Sequence, residues 1–174
     1  RFVPPLKPTG RGALMPWGAA TLAAVAIAFN PQTLVWGRTG VSDMLLCACM
    51  GSSLLAFFWG YASEGKTASR AYLAFFALMG LAVLTKGPVG FVLPVLIVGT
   101  FVLYAGQLKA VWREMRPVRG MLLFLAIAVP WYLLVMAANG ESYVESFFGY
   151  HNFERFTRVV NHHSAPWYFY FLVV

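Results

Sequence analysis

The sequence predicts an all-α integral membrane protein, a bundle of about five helices that cross the bilayer, with the start of a sixth. Three observations carry this. Of the 174 residues 60% are hydrophobic and only 11% are charged. The charges gather in short stretches between long apolar runs. Most of those runs approach or exceed the roughly 20 helical residues that a hydrocarbon core of about 30 Å requires. A formal charge of +7 would suggest nucleic acid as the partner of a soluble chain. Basic loops beside membrane spans are expected on topological grounds instead, so no nucleic-acid partner is expected and membrane lipids are. The chain opens on Arg1 and closes on Phe169, Tyr170, Phe171, Leu172, Val173 and Val174, which read as the opening of another apolar segment. It is therefore expected to be a piece of a larger protein.

Residues 1–12 carry Arg1, Lys7 and Arg11 with no acid, and Pro4, Pro5 and Pro8 oppose a regular helix. They read as a basic connecting loop. Residues 13–36 are uncharged and long enough to span; Pro16 lies near the start, where proline is tolerated. Asn30-Pro31 marks a stop or bend, with 32–36 as an interfacial turn or short extension. The polar, glycine-rich stretch 37–43 follows and holds Arg38, Ser42 and Asp43. Residues 44–63 supply 20 uncharged positions, a full span. Ser42 or Asp43 can cap it, and a carboxylate there complements the helix dipole. A role for Asp43 in a site stands beside that capping role. Cys47 and Cys49, two residues apart on this helix, point away from each other and suggest neither a disulfide nor a metal pair.

Residues 64–70 read as a short loop with Lys66 and Arg70 against Glu64. From Ala71 to Leu108 the only charge is Lys86. An unbroken helix there would be roughly 57 Å long, nearly twice the hydrocarbon core. Two helices, near 71–84 and 89–108, are expected instead, meeting at Gly87-Pro88. Two readings of Lys86 stand side by side: its ammonium snorkels to the headgroup layer beside a turn, or it faces an anionic headgroup or phosphate, as ionisable groups at membrane depth often do. Residues 109–119 form the most basic loop, with Lys109, Arg113, Arg116 and Arg119 against Glu114. Residues 120–138 form the next span, interrupted by Pro130.

Charge sets the orientation. If 1–12, 64–70 and 109–119 face the cytoplasm, that side holds nine of the thirteen Lys and Arg residues, as the positive-inside rule asks of five alternating spans. Arg38, Asp43, Lys86 and the stretch 139–166 then share the extracytoplasmic side. In that stretch Phe147, Phe148, His151, Phe156 and Val159 recur at helix-like intervals among Glu145, Asn152, Glu154, Arg155 and Arg158, the pattern of an amphipathic surface helix. The alternative reading is that it only covers the bundle. His151, His162 and His163 are weak metal candidates, since no nearby Cys or His-x-x-x-His spacing supports a ligand set. No cofactor is fixed by the sequence; a divalent metal is the one these imidazoles would allow. Gly-x-Ser-x-Gly and His-Glu-x-x-His are absent from the sequence. What remains is an enzyme acting on a lipid-linked substrate, or a transporter.

Several pieces occur together: Gly37-Arg38-Thr39-Gly40-Val41-Ser42-Asp43-Met44, Leu84-Thr85-Lys86-Gly87-Pro88-Val89, Pro130-Trp131-Tyr132, the stretch Phe147 to Phe156 with His151-Asn152-Phe153-Glu154-Arg155-Phe156, and His163 to Tyr170. In this order they resemble the bacterial branch of the dolichyl-phosphate-mannose protein mannosyltransferase superfamily, which includes lipid A aminoarabinose transferases. The resemblance implies the GT-C membrane fold, with residues 1–174 one partial transmembrane domain bearing an extracytoplasmic amphipathic segment at 139–166. It implies transfer of a sugar from a polyprenyl-phosphate donor to a lipid, glycan or protein acceptor at the outer face of the bacterial cytoplasmic membrane. Lys86 would hold the carrier phosphate, with Arg38 a second cation; Asp43 would organise that cationic site or orient substrate; His151, Asn152, Arg155 and His163 would shape the outer cavity. The family's acidic residue of the first outer loop has no counterpart here, so no catalytic base is expected within these residues and the isolated chain is expected to be inactive. The alternatives are a transporter or flippase for a lipid-linked or anionic solute, which shares broken helices and a midmembrane lysine, and a noncatalytic membrane scaffold.

Overall fold

A computed structural model describes residues 14–139. Every regular element among them is a helix: α1 (Leu14–Ala28), α2 (Pro31–Arg38), α3 (Ser42–Ala62), α4 (Gly65–Lys86), α5 (Val89–Tyr104), α6 (Leu108–Met115) and α7 (Pro117–Asn139). Helix is the form an apolar chain takes in lipid, because each backbone N–H finds its carbonyl within the segment. Helices α3, α4 and α7 are long and apolar enough to cross a membrane; α1 and α2 together pass the same test, bent by 52° at their break. α5, at 16 residues, is about 24 Å long and so shorter than the hydrocarbon core. The fold is the all-α, multi-span membrane architecture expected. The amphipathic segment expected at 139–166 lies outside the described residues.

The chain divides into two units, one ending at Ala128 and the other beginning at Val129, within α7. In the first, α3 and α4 form the central antiparallel hairpin and α5 packs beside them. Its core is aromatic. Phe57 of α3 meets Tyr72 and Phe75 of α4 with ring centroids 5.8 Å and 5.6 Å apart, and Tyr61 meets Phe101 of α5 edge-on at 5.2 Å. Such pairs contribute about 0.5–1.5 kcal/mol each beyond area burial. That matters more in lipid, where association relies on close packing rather than on exclusion of water. The outer faces stay apolar: Leu55, Phe58 and Trp59 of α3 are exposed, as are Leu96 and Ile97 of α5. In the second unit, residues 129–139 form the last turns of α7 and likewise expose Trp131, Leu133 and Leu134.

Four boundaries differ from the sequence reading. Residues 65–70 belong to α4 rather than to a loop, because exposed Lys66 and Arg70 are good helix formers that can project to water from a first turn. The expected basic loop 109–119 contains α6, one face of which is apolar; a short amphipathic helix accommodates a dense charge run as readily as a loop does. The expected span 89–108 stops at Tyr104, and Gly106 at φ +65° turns the chain. Arg38 closes α2 instead of sitting in the loop.

The α4–α5 join fits the Gly87-Pro88 reading. The Gly87 N–H donates to Val83 O at 2.8 Å, with φ +78°, a region disfavoured for residues bearing a Cβ. Pro88 follows, and α5 begins at once. A Cβ on Gly90 would stand 2.5 Å from the Ala82 carbonyl carbon. The two backbones are that close.

Candidate functional site

The site is built where the start of α3 meets the end of α4. Val41, extended at φ −80° and ψ 144°, is the N-cap of α3 and makes no side-chain cap hydrogen bond. This corrects the capping role expected of Ser42 or Asp43: both already lie inside the helix. Asp43 still complements the dipole from the first turn, but its side chain reaches across the hairpin. Lys86 ends α4, and its Nζ donates to Asp43 Oδ1 in an ion pair between residues 43 positions apart. The antiparallel hairpin makes that meeting possible, since it returns the end of α4 to the level where α3 begins. Two residues before Gly87, Thr85 Oγ1 donates to Ala82 O at 2.7 Å, giving its hydroxyl proton a partner within the helix.

Both side chains of the pair are partly open, 45% for Lys86 and 43% for Asp43. At that exposure an ion pair contributes at most about 1 kcal/mol to stability. It is therefore a poor reason for placing a lysine in an apolar run. What the exposure does provide is access, because either partner can exchange the other for a solute.

Asp43 also lines a cavity of about 620 Å³ between α1, α2 and α3. Asn30, Gln32, Thr33 and Trp36 form one wall, and Met44 and Cys47 form the other. The polar wall follows from the break after α1: Asn30 caps α2, its Oδ1 accepting from the N–H groups of Gln32 at 2.9 Å and Thr33 at 3.4 Å. The lining is mostly apolar, completed by Ile27 and Ala48, with the Trp36 indole, the carboxamides of Asn30 and Gln32, the Thr33 hydroxyl and the Asp43 carboxylate set into it. Sequence reasoning marked Asn30-Pro31 as a break but did not single out Asn30, Gln32, Thr33 or Trp36 as site residues. The signal available was their position, polar and aromatic, between an apolar helix and Arg38.

Asp43 and Lys86 are thus brought together. Arg38 stands at the end of α2, exposed, and makes no ion pair among the described residues. His151, Asn152, Arg155, His162 and His163 lie outside the described residues. Among the described residues no group of three or more His, Cys, Asp or Glu side chains could hold a metal ion. Cys47 and Cys49 are free thiols.

The profile of the dolichyl-phosphate-mannose-protein mannosyltransferase family matches residues 13–133. The chain belongs to this family. Its all-α fold is accordingly of the GT-C membrane type that the sequence motifs implied. The match takes in Arg38, Asp43 and Lys86 together with the cavity beside them. Among similar proteins, an uncharacterized protein of Aquifex aeolicus is 38% identical over 96 residues, 55% of this chain and 21% of that protein. An undecaprenyl phosphate-alpha-4-amino-4-deoxy-L-arabinose arabinosyl transferase of Shewanella sediminis is 33% identical over 138 residues, 76% of this chain and 24% of that protein. A protein of the same name from Pseudomonas aeruginosa is 31% identical over 158 residues, 86% of this chain and 27% of that protein. The chain spans about a quarter of the length of the curated relatives it matches. No solved structure matches.

Proposed function

We propose that the protein containing this chain is a glycosyltransferase that moves a sugar from a polyprenyl-phosphate carrier to a lipid, glycan or protein acceptor at the extracytoplasmic face of the bacterial cytoplasmic membrane. The observation that carries the reading is the partly open Asp43–Lys86 pair beside a largely apolar cavity into which Trp36 and a few polar groups are set. Membership of the mannosyltransferase family supports it.

In such a transfer the bond between the anomeric carbon and the phosphate oxygen breaks. Its electron pair leaves with the carrier as polyprenyl phosphate, while an acceptor heteroatom bonds to the carbon and gives up its proton. Negative charge grows on the departing phosphate, and a positioned ammonium lowers the energy of that state more than it stabilises the bound donor. Lys86 is assigned this role, with Arg38 as the second cation at the same end of the hairpin. Asp43 keeps the Lys86 ammonium at the cavity before the donor arrives and is a positioning residue. Trp36, Gln32 and Thr33 would receive the sugar, the indole by stacking and the others by hydrogen bonds. His151, Asn152, Arg155 and His163 are assigned to the outer cavity on the strength of the family motif. No residue of this chain is assigned as the general base.

The test is release of free polyprenyl phosphate from a panel of carrier-linked sugars by the purified full-length protein, wild type beside Lys86→Met. Undecaprenyl phosphate-linked 4-amino-4-deoxy-L-arabinose is the first donor to try, because the relatives' names carry it. Lys86→Met removes the charge from a side chain of similar size. Release is expected to fall by about 100-fold or more, the scale set by removing one transition-state donor, with membrane insertion and thermal stability unchanged. Equal release from both proteins would overturn the role of Lys86. Transport of the carrier-linked sugar across sealed vesicles without release of the carrier would favour a flippase instead.

A further inference from the structure

A second cavity of about 260 Å³ lies among the middle of α4, α5, α6 and the start of α7, reaching from Phe91 near the α4–α5 join to Leu108 on α6. Its lining is apolar throughout, with Phe76, Met79, Val98, Val102, Val111 and Trp112 in the wall. It also opens outward. Val95, Leu108 and Trp112 of its lining are 40%, 48% and 60% exposed, so its mouth lies on the apolar surface of the described residues.

The mouth carries charge of one predominant sign. On α6, Leu108, Val111, Trp112 and Met115 recur at the spacing of a single helix face and line the cavity. At about 100° per residue, Lys109 falls on the flank next to Trp112 and Glu114 on the other, with Arg113 beyond Lys109 toward the back of the helix. All three are exposed. Arg116 and Arg119, exposed as well, follow at once. Arg116 caps α6 at φ 48°, the one non-glycine among the described residues with positive φ. Glycine or asparagine would take that conformation at lower cost.

We propose that this cavity and its cationic flank bind an anionic glycerophospholipid, one acyl chain entering the cavity and the headgroup phosphate lying against Lys109 and Arg113. Charge complementarity selects the occupant. The space is purely hydrocarbon-like and falls just under the roughly 300–1,000 Å³ of typical small-molecule sites, so it suits a stretch of one chain and leaves the headgroup outside, where the cations are. A basic patch at a helix in the interface favours anionic over zwitterionic headgroups. Nothing in this site depends on the transfer reaction, and its lining shares no residue with the cavity beside Asp43.

The test uses the full-length protein in a non-ionic detergent, titrated with 1-palmitoyl-2-oleoyl phosphatidylglycerol or with the phosphatidylcholine of the same acyl chains, and counts bound lipid by native mass spectrometry. Two cations at about 1 kcal/mol each predict a preference for phosphatidylglycerol of about tenfold or more. Lys109→Gln with Arg113→Gln should bring the two lipids to parity, whereas Lys66→Gln with Arg70→Gln should leave the preference intact. Gly99→Leu tests the cavity itself: Gly99 lines it, and a Cβ there meets nothing within 4 Å, so the leucine occupies the lipid's space without disturbing the backbone. It should abolish retention of the tightly held lipid. Equal retention of both lipids by the wild type would overturn the proposal. So would equal loss in the two double variants, or wild-type binding by Gly99→Leu.

Discussion

Lys86 is the only charge between Ala71 and Leu108, and its partner decides how it is read. A snorkelling lysine needs only headgroups or water around its ammonium; this one is held by Asp43, from a different helix. The partly open geometry makes the pair a weak stabiliser, so substitutions there separate stability from activity. Asp43→Asn is expected to shift unfolding in detergent by less than about 1 kcal/mol. In the full-length protein it should lower turnover by about 10- to 100-fold, the scale of a misplaced reacting group, with partial recovery in Asp43→Glu. A stability loss that accounted for the whole effect would remove the positioning role. The identity of each residue was readable from the chain, as was their place at the ends of two successive apolar helices. The contact itself was not, because nothing local fixes the distance between residues 43 positions apart.

Two breaks organise the elements. At the first, Asn30 caps α2 with two backbone N–H groups on its Oδ1. Asn30→Ala should destabilise α2 by about 1 kcal/mol, seen as faster amide exchange at Gln32 and Thr33, with exchange in the core of α4 unchanged. Equal acceleration in both helices would mean that α2 does not open by itself. At the second, Gly90 lets α5 approach the Ala82 carbonyl carbon so closely that an added Cβ would stand 2.5 Å away. Gly90→Ala is expected to cost about 1–3 kcal/mol of stability as overpacking against backbone, read as a lower unfolding temperature; an unchanged temperature would show that the two helices can part without loss. Both breaks were readable from Asn-Pro and Gly-Pro, since proline ends helices by local sterics. The extra turn at the start of α4 and the whole of α6 were harder to see. Their charge density reads as loop, and only the apolar face of α6 against its neighbours settles it as helix.

For the molecule as a whole, alternation of the spans puts Asp43 and Lys86 at one end of the α3–α4 hairpin and the start of α4 at the other. With Cys47 and Cys49 replaced by alanine, Thr39→Cys and Lys66→Cys should therefore react with membrane-impermeant maleimide from opposite faces of the membrane, Thr39→Cys from outside intact spheroplasts and Lys66→Cys only after the membrane is opened. Labelling of both from one face would overturn the topology. The class of protein, the order of most apolar helices, their breaks and the family motifs were all legible in the chain. These follow from hydropathy, proline and glycine sterics and charge counts, all of which act over a turn or two of chain. Three things emerged from the packing of the helices alone: Asp43 pairs with Lys86, Asn30, Gln32, Thr33 and Trp36 share a cavity with that carboxylate, and α6 closes an apolar pocket against α4 and α5. Those depend on which helix faces meet, and in a uniformly apolar setting hydropathy no longer marks an inner face. Close packing of shape against shape selects it instead.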